Sequence, residues 1–237
     1  MPKHLIPYLL TICAFVFGFF SFTNASKIKQ MKKIIYIMDP QCGWCYGNNE
    51  NIESIYEIFN KDYQFEFLVG GMWLGENAPK GGDSLNQFIK ANAPRMSEYT
   101  GAEVSEKFYE LTKDESYAFS SLEPSAAIVL VKKLAPNFSF SFAKDVQKVM
   151  FIEGKRLDQL ETYKPLLEKY TINISDFETA WMSEENLSET QAEFKKASAF
   201  ANGFPTMILE NENEEYFLLA NGYFQKEEMI KKLNELK

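Results

Sequence analysis

Cysteine and histidine are scarce in this 237-residue sequence, with three of the first and one of the second. Three cysteines cannot build a disulfide-rich scaffold. A single histidine, His4, leaves no basis for a histidine-based triad or a multi-histidine metal centre. Basic runs are missing as well. The formal charge is −8, from 25 basic and 33 acidic residues. That balance argues against nucleic acid and against an anionic membrane surface as partners. No internal repeat, low-complexity tract or long linker breaks the chain. Apolar residues are plentiful, at 46%, with 15% aromatic, enough to bury a full core without covalent staples.

Residues 1–30 contain three lysines and no acid. Lys3 and His4 precede an apolar run from Leu5 to Phe20, interrupted only by Pro7 and Thr11, and a small polar stretch follows from Ser21 to Ser26. This order predicts a secretory signal peptide over 1–25, with Thr23-x-Ala25 as its cleavage site. The expected location is periplasmic or exported, and the sole membrane association expected is an uncleaved N-terminal anchor. Met31-Lys32-Lys33, directly before a strand, is an alternative start. A chain begun there would be cytoplasmic. Cleavage would remove Cys13 and leave Cys42 and Cys45 as the remaining thiols.

Lys33 to Met38 (KIIYIM) is a β-branched, apolar run that predicts a buried strand, ended by Asp39-Pro40. Ile52, Ile55, Tyr56 and Phe59 predict one helix from near Cys42 to near Asn60. Tyr63 to Val69 alternates and predicts a second strand. From Asp83 to Ala201 the periodicity is helical. Leu85, Phe88 and Ile89 share a face before Pro94, and Val104, Phe108 and Leu111 share another. A further helix starts near Pro124 and stops at Pro136, and Phe142, Val146, Val149 and Met150 stripe the next. Ser175-x-x-Glu178 and Ser188-x-x-Gln191 read as capping boxes. Thr206 to Leu209 and Glu215 to Ala220 predict a hairpin, and Met229, Ile230, Leu233 and Leu236 a closing amphipathic helix. The order is β-α-β, a helical block, then β-β-α. The expected class is α/β, a thioredoxin fold in which a helical domain (73–187) separates a βαβ half (32–72) from a ββα half (188–237).

Cys42-Gly43-Trp44-Cys45 falls where the first strand passes into the first helix. The first sulfur then lies among the unpaired N–H groups of a helix N-terminus, which stabilise a thiolate. The thiolate, not the thiol, attacks a disulfide. Cys45, on the first turn, can attack the resulting mixed disulfide. A zinc site would need about four ligands, which two thiols without histidine do not supply. Haem attachment would need histidine where Tyr46 stands. A purely structural disulfide would close a very short loop and add little stability. Cys42 is therefore expected to be the nucleophile and Cys45 the resolving thiol, with no metal. Gly43 and Trp44 are uncharged spacers that modulate the couple. Trp44 is expected either to offer a client a flat apolar surface or to pack against the helical domain. Gly203-Phe204-Pro205-Thr206, just before the hairpin, is the second part of the site. X-Pro bonds are the ones that commonly go cis. A cis Pro205 would set the Phe204–Pro205 backbone beside the cysteines, where a substrate strand can pair.

Met38-Asp39-Pro40-Gln41-Cys42-Gly43-Trp44-Cys45-Tyr46-Gly47 and Gly203-Phe204-Pro205-Thr206 together resemble the DsbA-like branch of the thioredoxin superfamily. The D-P-x-C-x-W-C-Y form is most similar to the FrnE-like group of predicted protein-disulfide isomerases. Gly70-Gly71, Glu123-Pro124 and Asn221-Gly222-Tyr223 add weaker similarity. The resemblance covers roughly residues 32–237. It implies a thioredoxin fold with a helical insertion and dithiol–disulfide exchange at Cys42 and Cys45. It also implies Pro205 as the cis-proline, no bound cofactor, protein clients with thiols or disulfides, and a redox recycling partner.

The function expected is a thiol–disulfide oxidoreductase or protein-disulfide isomerase, with the direction of exchange open. The alternative is a glutathione-dependent small-molecule isomerase or transferase of the kappa-class or 2-hydroxychromene-2-carboxylate isomerase type. Those enzymes use one catalytic Ser or Cys, and a resolving Cys45 would compete with such chemistry. A third reading is a binding or chaperone module in which the two cysteines are incidental. The motif lacks the histidine of DsbA beside its nucleophile, so its couple should be less oxidising than the roughly −120 mV of DsbA. Equilibration with glutathione buffers measures this, and a DsbA-like potential would contradict it.

Overall fold

The first strand has to be covered on both faces, and the rest of the chain is arranged to do it. The computed structural model describes residues 31–237. The expected signal peptide, its cleavage site and Cys13 lie outside the described residues. In β1 (Lys33–Met38), Ile34, Tyr36 and Met38 enter one core cluster, and Ile35 and Ile37 enter another. All five are buried, which is why the strand reads as an unbroken apolar run rather than an alternation.

Two short helices, α1 (Gly43–Gly47) and α2 (Asn49–Phe59), carry the chain to β2 (Gln64–Val69), which pairs parallel with β1. The helical block follows as α3 (Asp83–Thr100), α4 (Glu106–Leu111), α5 (Leu122–Leu134), α6 (Ser139–Phe151), α7 (Leu160–Lys169), α8 (Ile174–Trp181) and α9 (Glu184–Ser198). The chain then returns as β3 (Thr206–Glu210), antiparallel to β1, and β4 (Tyr216–Asn221), antiparallel to β3, and closes on α10 (Lys226–Glu235). The sheet order is β2-β1-β3-β4. One face packs into the large cluster that holds Ile52, Ile55 and Phe59 of α2, Phe142 and Val146 of α6, and Met229 and Leu233 of α10. On the other face, Ala197 at the end of α9 and Phe200 cover Ile35, Ile37, Leu68 and Ile208.

The free edge of β2 is closed by side chains, which removes a template for unwanted pairing. Glu193 Oε1 accepts the Val69 N–H at 2.8 Å, and Lys132 Nζ donates to the Phe67 carbonyl at 2.6 Å. The two side chains are also an ion pair, at 2.7 Å. Thus α5 and α9 of the helical block are tied to the sheet at its edge.

Several local expectations are corrected. The single helix expected from Cys42 to Asn60 is two, divided at Asn48. There the Asn48 side chain accepts the Phe224 N–H at 3.4 Å and so is held to the C-terminal half. Pro94 does not end a helix; α3 runs through it. Pro94 and Lys90, the residue four positions earlier, are both exposed, so water can serve the carbonyl that the proline leaves unpaired. Val104 precedes α4, which is capped by Ser105 accepting the Phe108 N–H. The proposed capping boxes are misplaced too. Ser175 and Ser188 lie inside α8 and α9, and the caps are Asn173, accepting from Asp176 N–H, and Ser183, accepting from Asn186 N–H. Both helices start earlier because an Asx or Ser oxygen was available upstream.

Glu193→Ala should strip partners from the Val69 N–H and from Lys132 at once. The expected cost is about 2 kcal/mol of stability, read by urea unfolding. A variant as stable as the parent would show that the edge contact contributes nothing.

Candidate active site

β1 ends at Met38, and the next seven residues build the site. Asp39 is fully buried. Its Oδ1 accepts the Gln41 N–H at 2.8 Å and the Ser121 hydroxyl at 2.9 Å, and its Oδ2 accepts the Met72 N–H at 2.8 Å. The carboxylate thereby joins three segments: the turn into α1, the chain leaving β2, and the start of α5. The Asp39 carbonyl accepts the Cys42 N–H at 3.1 Å and closes the turn.

Cys42 is the N-cap of α1, with extended backbone (φ −83°, ψ 115°). Its Sγ accepts the Cys45 N–H at 3.4 Å. The same thiol donates to the Phe204 carbonyl at 3.6 Å. α1 has only five residues before the bend at Asn48. At this helix N-terminus the Cys45 N–H is the donor that meets the sulfur. Cys42 is 6% exposed and Cys45 fully buried, and both are free thiols. The outward sulfur is thus Cys42.

Helix α6 of the insertion holds the same turn from behind. Gln147, fully buried, donates through Nε2 to the Asp39 carbonyl at 3.2 Å and the Cys42 carbonyl at 3.4 Å. Its Oε1 accepts from Asn49 Nδ2 at 2.9 Å. Gln41 reaches the other way, donating to the Ser120 carbonyl at 2.9 Å and the Tyr117 hydroxyl at 3.4 Å.

The Phe204–Pro205 peptide bond is cis. Phe204 presents its carbonyl to Cys42, and its ring occupies the space that a side chain at Gly70 would fill. A Cβ on Gly70 would collide with that ring, which explains a glycine at the end of β2. Gly47 has a similar reason, since a Cβ there would meet the Thr100 side chain of α3 at 2.6 Å. Trp44 is half-buried, with its ring edge toward Tyr99 of α3 at 6.2 Å between centroids and tilted toward Tyr223 at 6.5 Å. It both packs on the insertion and keeps a surface open. A Cβ on Gly43 would find only the Met96 methyl, at 4.0 Å.

The structure brings together Cys42, Cys45, Gly43, Trp44, Phe204 and Pro205, the residues singled out from the sequence. It adds Asp39, whose role the sequence could not pick out from 33 acidic residues. Burial pushes the Asp39 carboxyl from an ordinary 3.8 up to about 6, while the N–H groups of Met72 and Gln41 and the Ser121 hydroxyl pull it down. Burial also holds the Cys45 thiol well above the ordinary thiol value. The hydrogen bond and charge of Cys42 and the charge of Asp39 act in the same direction, and the Asp39 backbone acts against them. The Cys45 thiol and the buried Asp39 carboxyl are therefore electrostatically linked. The available signal was position, because Asp39 lies three residues before Cys42. Among the described residues no cluster of His, Cys, Asp and Glu could hold a metal ion, and no helix is long and apolar enough to cross a membrane.

The class of structure is now defined: a thioredoxin fold carrying a helical insertion, with a CxxC motif at the end of its first strand. Solved structures share it. A candidate protein disulfide isomerase from Nitrosomonas europaea is 22% identical, with a TM-score of 0.74 over 87% of this chain and 97% of that one. The cytosolic disulfide reductase DsbM from Pseudomonas aeruginosa is 22% identical, with a TM-score of 0.69 over 86% and 98%. A 2-hydroxychromene-2-carboxylate isomerase is 13% identical, with a TM-score of 0.57 over 86% and 94%. At these identities the likeness is one of fold. No protein-family model matches the sequence, and no curated protein matches it either.

The Asp39 carboxyl binds its proton more tightly in the folded chain than in the unfolded one. Between about 4 and 6 the folded state holds the extra proton, so stability falls as pH rises through that window. The gap between 3.8 and about 6 corresponds to about 3 kcal/mol. Urea unfolding from pH 4 to pH 7 should show the parent losing about that much relative to Asp39→Asn. A difference that does not vary with pH would contradict the burial argument.

Proposed function

We propose that this protein is a thiol–disulfide oxidoreductase that exchanges disulfides with protein substrates through Cys42 and Cys45. The observation that carries the proposal is the Cys42 sulfur, set at the N-terminal end of α1 and held between the Cys45 N–H and the Phe204 carbonyl. The Cys42 thiolate attacks one sulfur of a substrate disulfide, forming a mixed disulfide and releasing the other substrate sulfur as a thiolate. Cys45 then gives its proton to Asp39 and attacks the Cys42 sulfur. The second substrate thiolate leaves, and a Cys42–Cys45 disulfide forms. The substrate gains two electrons and the protein loses two. Run backward, the same steps oxidise a substrate dithiol. Burial suits Asp39 to the proton transfer, because its raised affinity for a proton lies closer to that of a thiol than an exposed carboxylate would.

The Phe204 carbonyl supports the choice of polypeptide substrates, since an extended chain can pair with it while its cysteine meets Cys42. The neighbours named as a disulfide isomerase and a disulfide reductase act on disulfides by their names, and they support the same reading here. The 2-hydroxychromene-2-carboxylate isomerase neighbour favours the small-molecule alternative by fold alone. A buried second thiol one turn away favours exchange instead. Turnover requires a separate redox partner that restores the spent form. With residues 1–25 as an export signal, the working compartment is the periplasm or outside the cell. With a start at Met31 it is the cytoplasm, as in the DsbM neighbour's name. The site and the exchange reaction are the same in both.

Cys45→Ser should accumulate mixed disulfides between Cys42 and client proteins, and Cys42→Ser should form none. Non-reducing electrophoresis and mass spectrometry read both. Adducts with glutathione alone, together with retained turnover on small substrates, would contradict exchange with proteins.

A further inference from the structure

The sheet has two edges, and they are finished differently. The β2 edge is closed by Glu193 and Lys132. β4 forms the other edge and pairs with β3 alone. Its backbone has one side-chain partner among the described residues, Lys232, whose Nζ donates to the Leu219 carbonyl at 2.7 Å. That contact sits at a bulge: Met207 pairs with Ala220 and Ile208 with Leu218, which leaves Leu219 out of register. Just before the bulge, Tyr216, Phe217 and Leu218 are 50%, 48% and 57% exposed. The register places Tyr216 and Leu218 on one face, opposite Glu210 and Ile208, and Phe217 on the other, opposite Leu209. Phe200 tilts against Tyr216 at 4.8 Å between centroids and covers part of the first face. Open strand edges are ordinarily blunted by charge, proline, a bulge or a covering segment. Here the bulge and the lysine act only from Leu219 onward, and three large apolar side chains stand ahead of them.

We infer that the β4 edge pairs with the β4 edge of a second copy of this chain, antiparallel, about a two-fold axis normal to the sheet at Phe217. A two-fold contact uses the same patch on both copies, and this patch is complementary to itself. The axis sets Phe217 against the Phe217 of the second copy on one face. On the other face it sets Tyr216 against the second copy's Leu218, and the reverse, so apolar cross-strand pairs form on both faces. Charge favours the same direction. The turn before β4 carries Glu212, Glu214 and Glu215, while α10 brings Lys232 to the later half of the strand. Antiparallel pairing turns Glu215 of each copy toward Leu219 of the other, where Lys232 stands. Parallel pairing would set two acidic turns side by side, on a chain whose formal charge is already −8. The active site stays open in this dimer. The Pro205 carbonyl accepts the Gly222 N–H at 2.7 Å, so the cis-proline loop lies at the far, C-terminal end of β4. The two sites then sit at opposite ends of one continuous sheet made from two four-stranded ones. The inference concerns association and does not depend on the exchange reaction.

Sedimentation of the full chain from about 1 μM to about 1 mM, the span over which small interfaces associate, should show a monomer converting to a dimer. Phe217→Lys, which sets two like charges across the axis, should raise the dissociation constant about tenfold or more. Leu218→Lys serves if that variant folds poorly by circular dichroism. Glu215→Lys and Lys232→Glu should each weaken the dimer, and the double swap should restore it. Benzoylphenylalanine in place of Phe217 should cross-link to β4 of a second copy, as located by mass spectrometry. A chain that stays monomeric throughout would overturn the inference. So would association that neither Phe217→Lys nor Leu218→Lys weakens, since it would belong to another surface. A cross-link from position 217 to residues 1–30 of the same chain would overturn it as well and give the edge to that segment.

Discussion

The structure depends on a carboxylate without water. Asp39 has no exposed surface, and burying a lone carboxylate is costly unless its oxygens are paired. Three donors pair them, and each comes from a different part of the chain: Gln41 of the CxxC turn, Met72 just after β2, and Ser121 at the start of α5. Each of those segments must therefore be in place for the carboxylate to be tolerated. The βαβ half of the thioredoxin fold and the helical insertion meet at this one side chain. In the proposed exchange its incomplete stabilisation has a use, because a carboxyl that still holds a proton up to about 6 is suited to serve a buried thiol.

The insertion does more than add mass. Gln147 of α6 donates to the carbonyls of Asp39 and Cys42, Tyr117 and Ser120 hold Gln41, and Thr100 of α3 lies against Gly47 of α1. The CxxC turn is clasped from behind by side chains and left open toward Cys42. Rigid support of this sort fixes the position of the Cys42 sulfur, which in the proposed exchange cuts the entropy lost on reaction. At the β2 edge of the sheet, Lys132 and Glu193 lock α5 and α9 to β2. The lock lies at the same end of the sheet as the site, since Val69 pairs with Met38, the last residue of β1.

Much of this was legible in the sequence, for identifiable reasons. β1 and the cysteine pair announce themselves through a short, dense pattern, and Phe204-Pro205 is a local signal placed just before a hairpin. The α/β order follows from switches between periods of 2 and 3.6. What stayed hidden depends in part on contacts distant in sequence and in part on local choices that spacing leaves open. The bend at Asn48 is set by Phe224, some 176 residues away. The path of α3 through Pro94 depends on which way that turn faces. The true caps of α8 and α9 lay upstream of equally plausible Ser-x-x-Glu and Ser-x-x-Gln spacings. Asp39 looked like a strand terminator, since only the tertiary structure shows that its side chain points into the protein and meets Ser121, 82 residues on.

The central claim is that Cys42 and Cys45 act as one two-electron unit. It is tested most directly by single-turnover stoichiometry on the reduced parent protein. Mixed with a limiting peptide disulfide, the chain should release two peptide thiols for each Cys42–Cys45 disulfide that mass spectrometry finds, with no lasting adduct. Release of one thiol per chain, with a stable peptide adduct on Cys42 and Cys45 still free, would contradict the account.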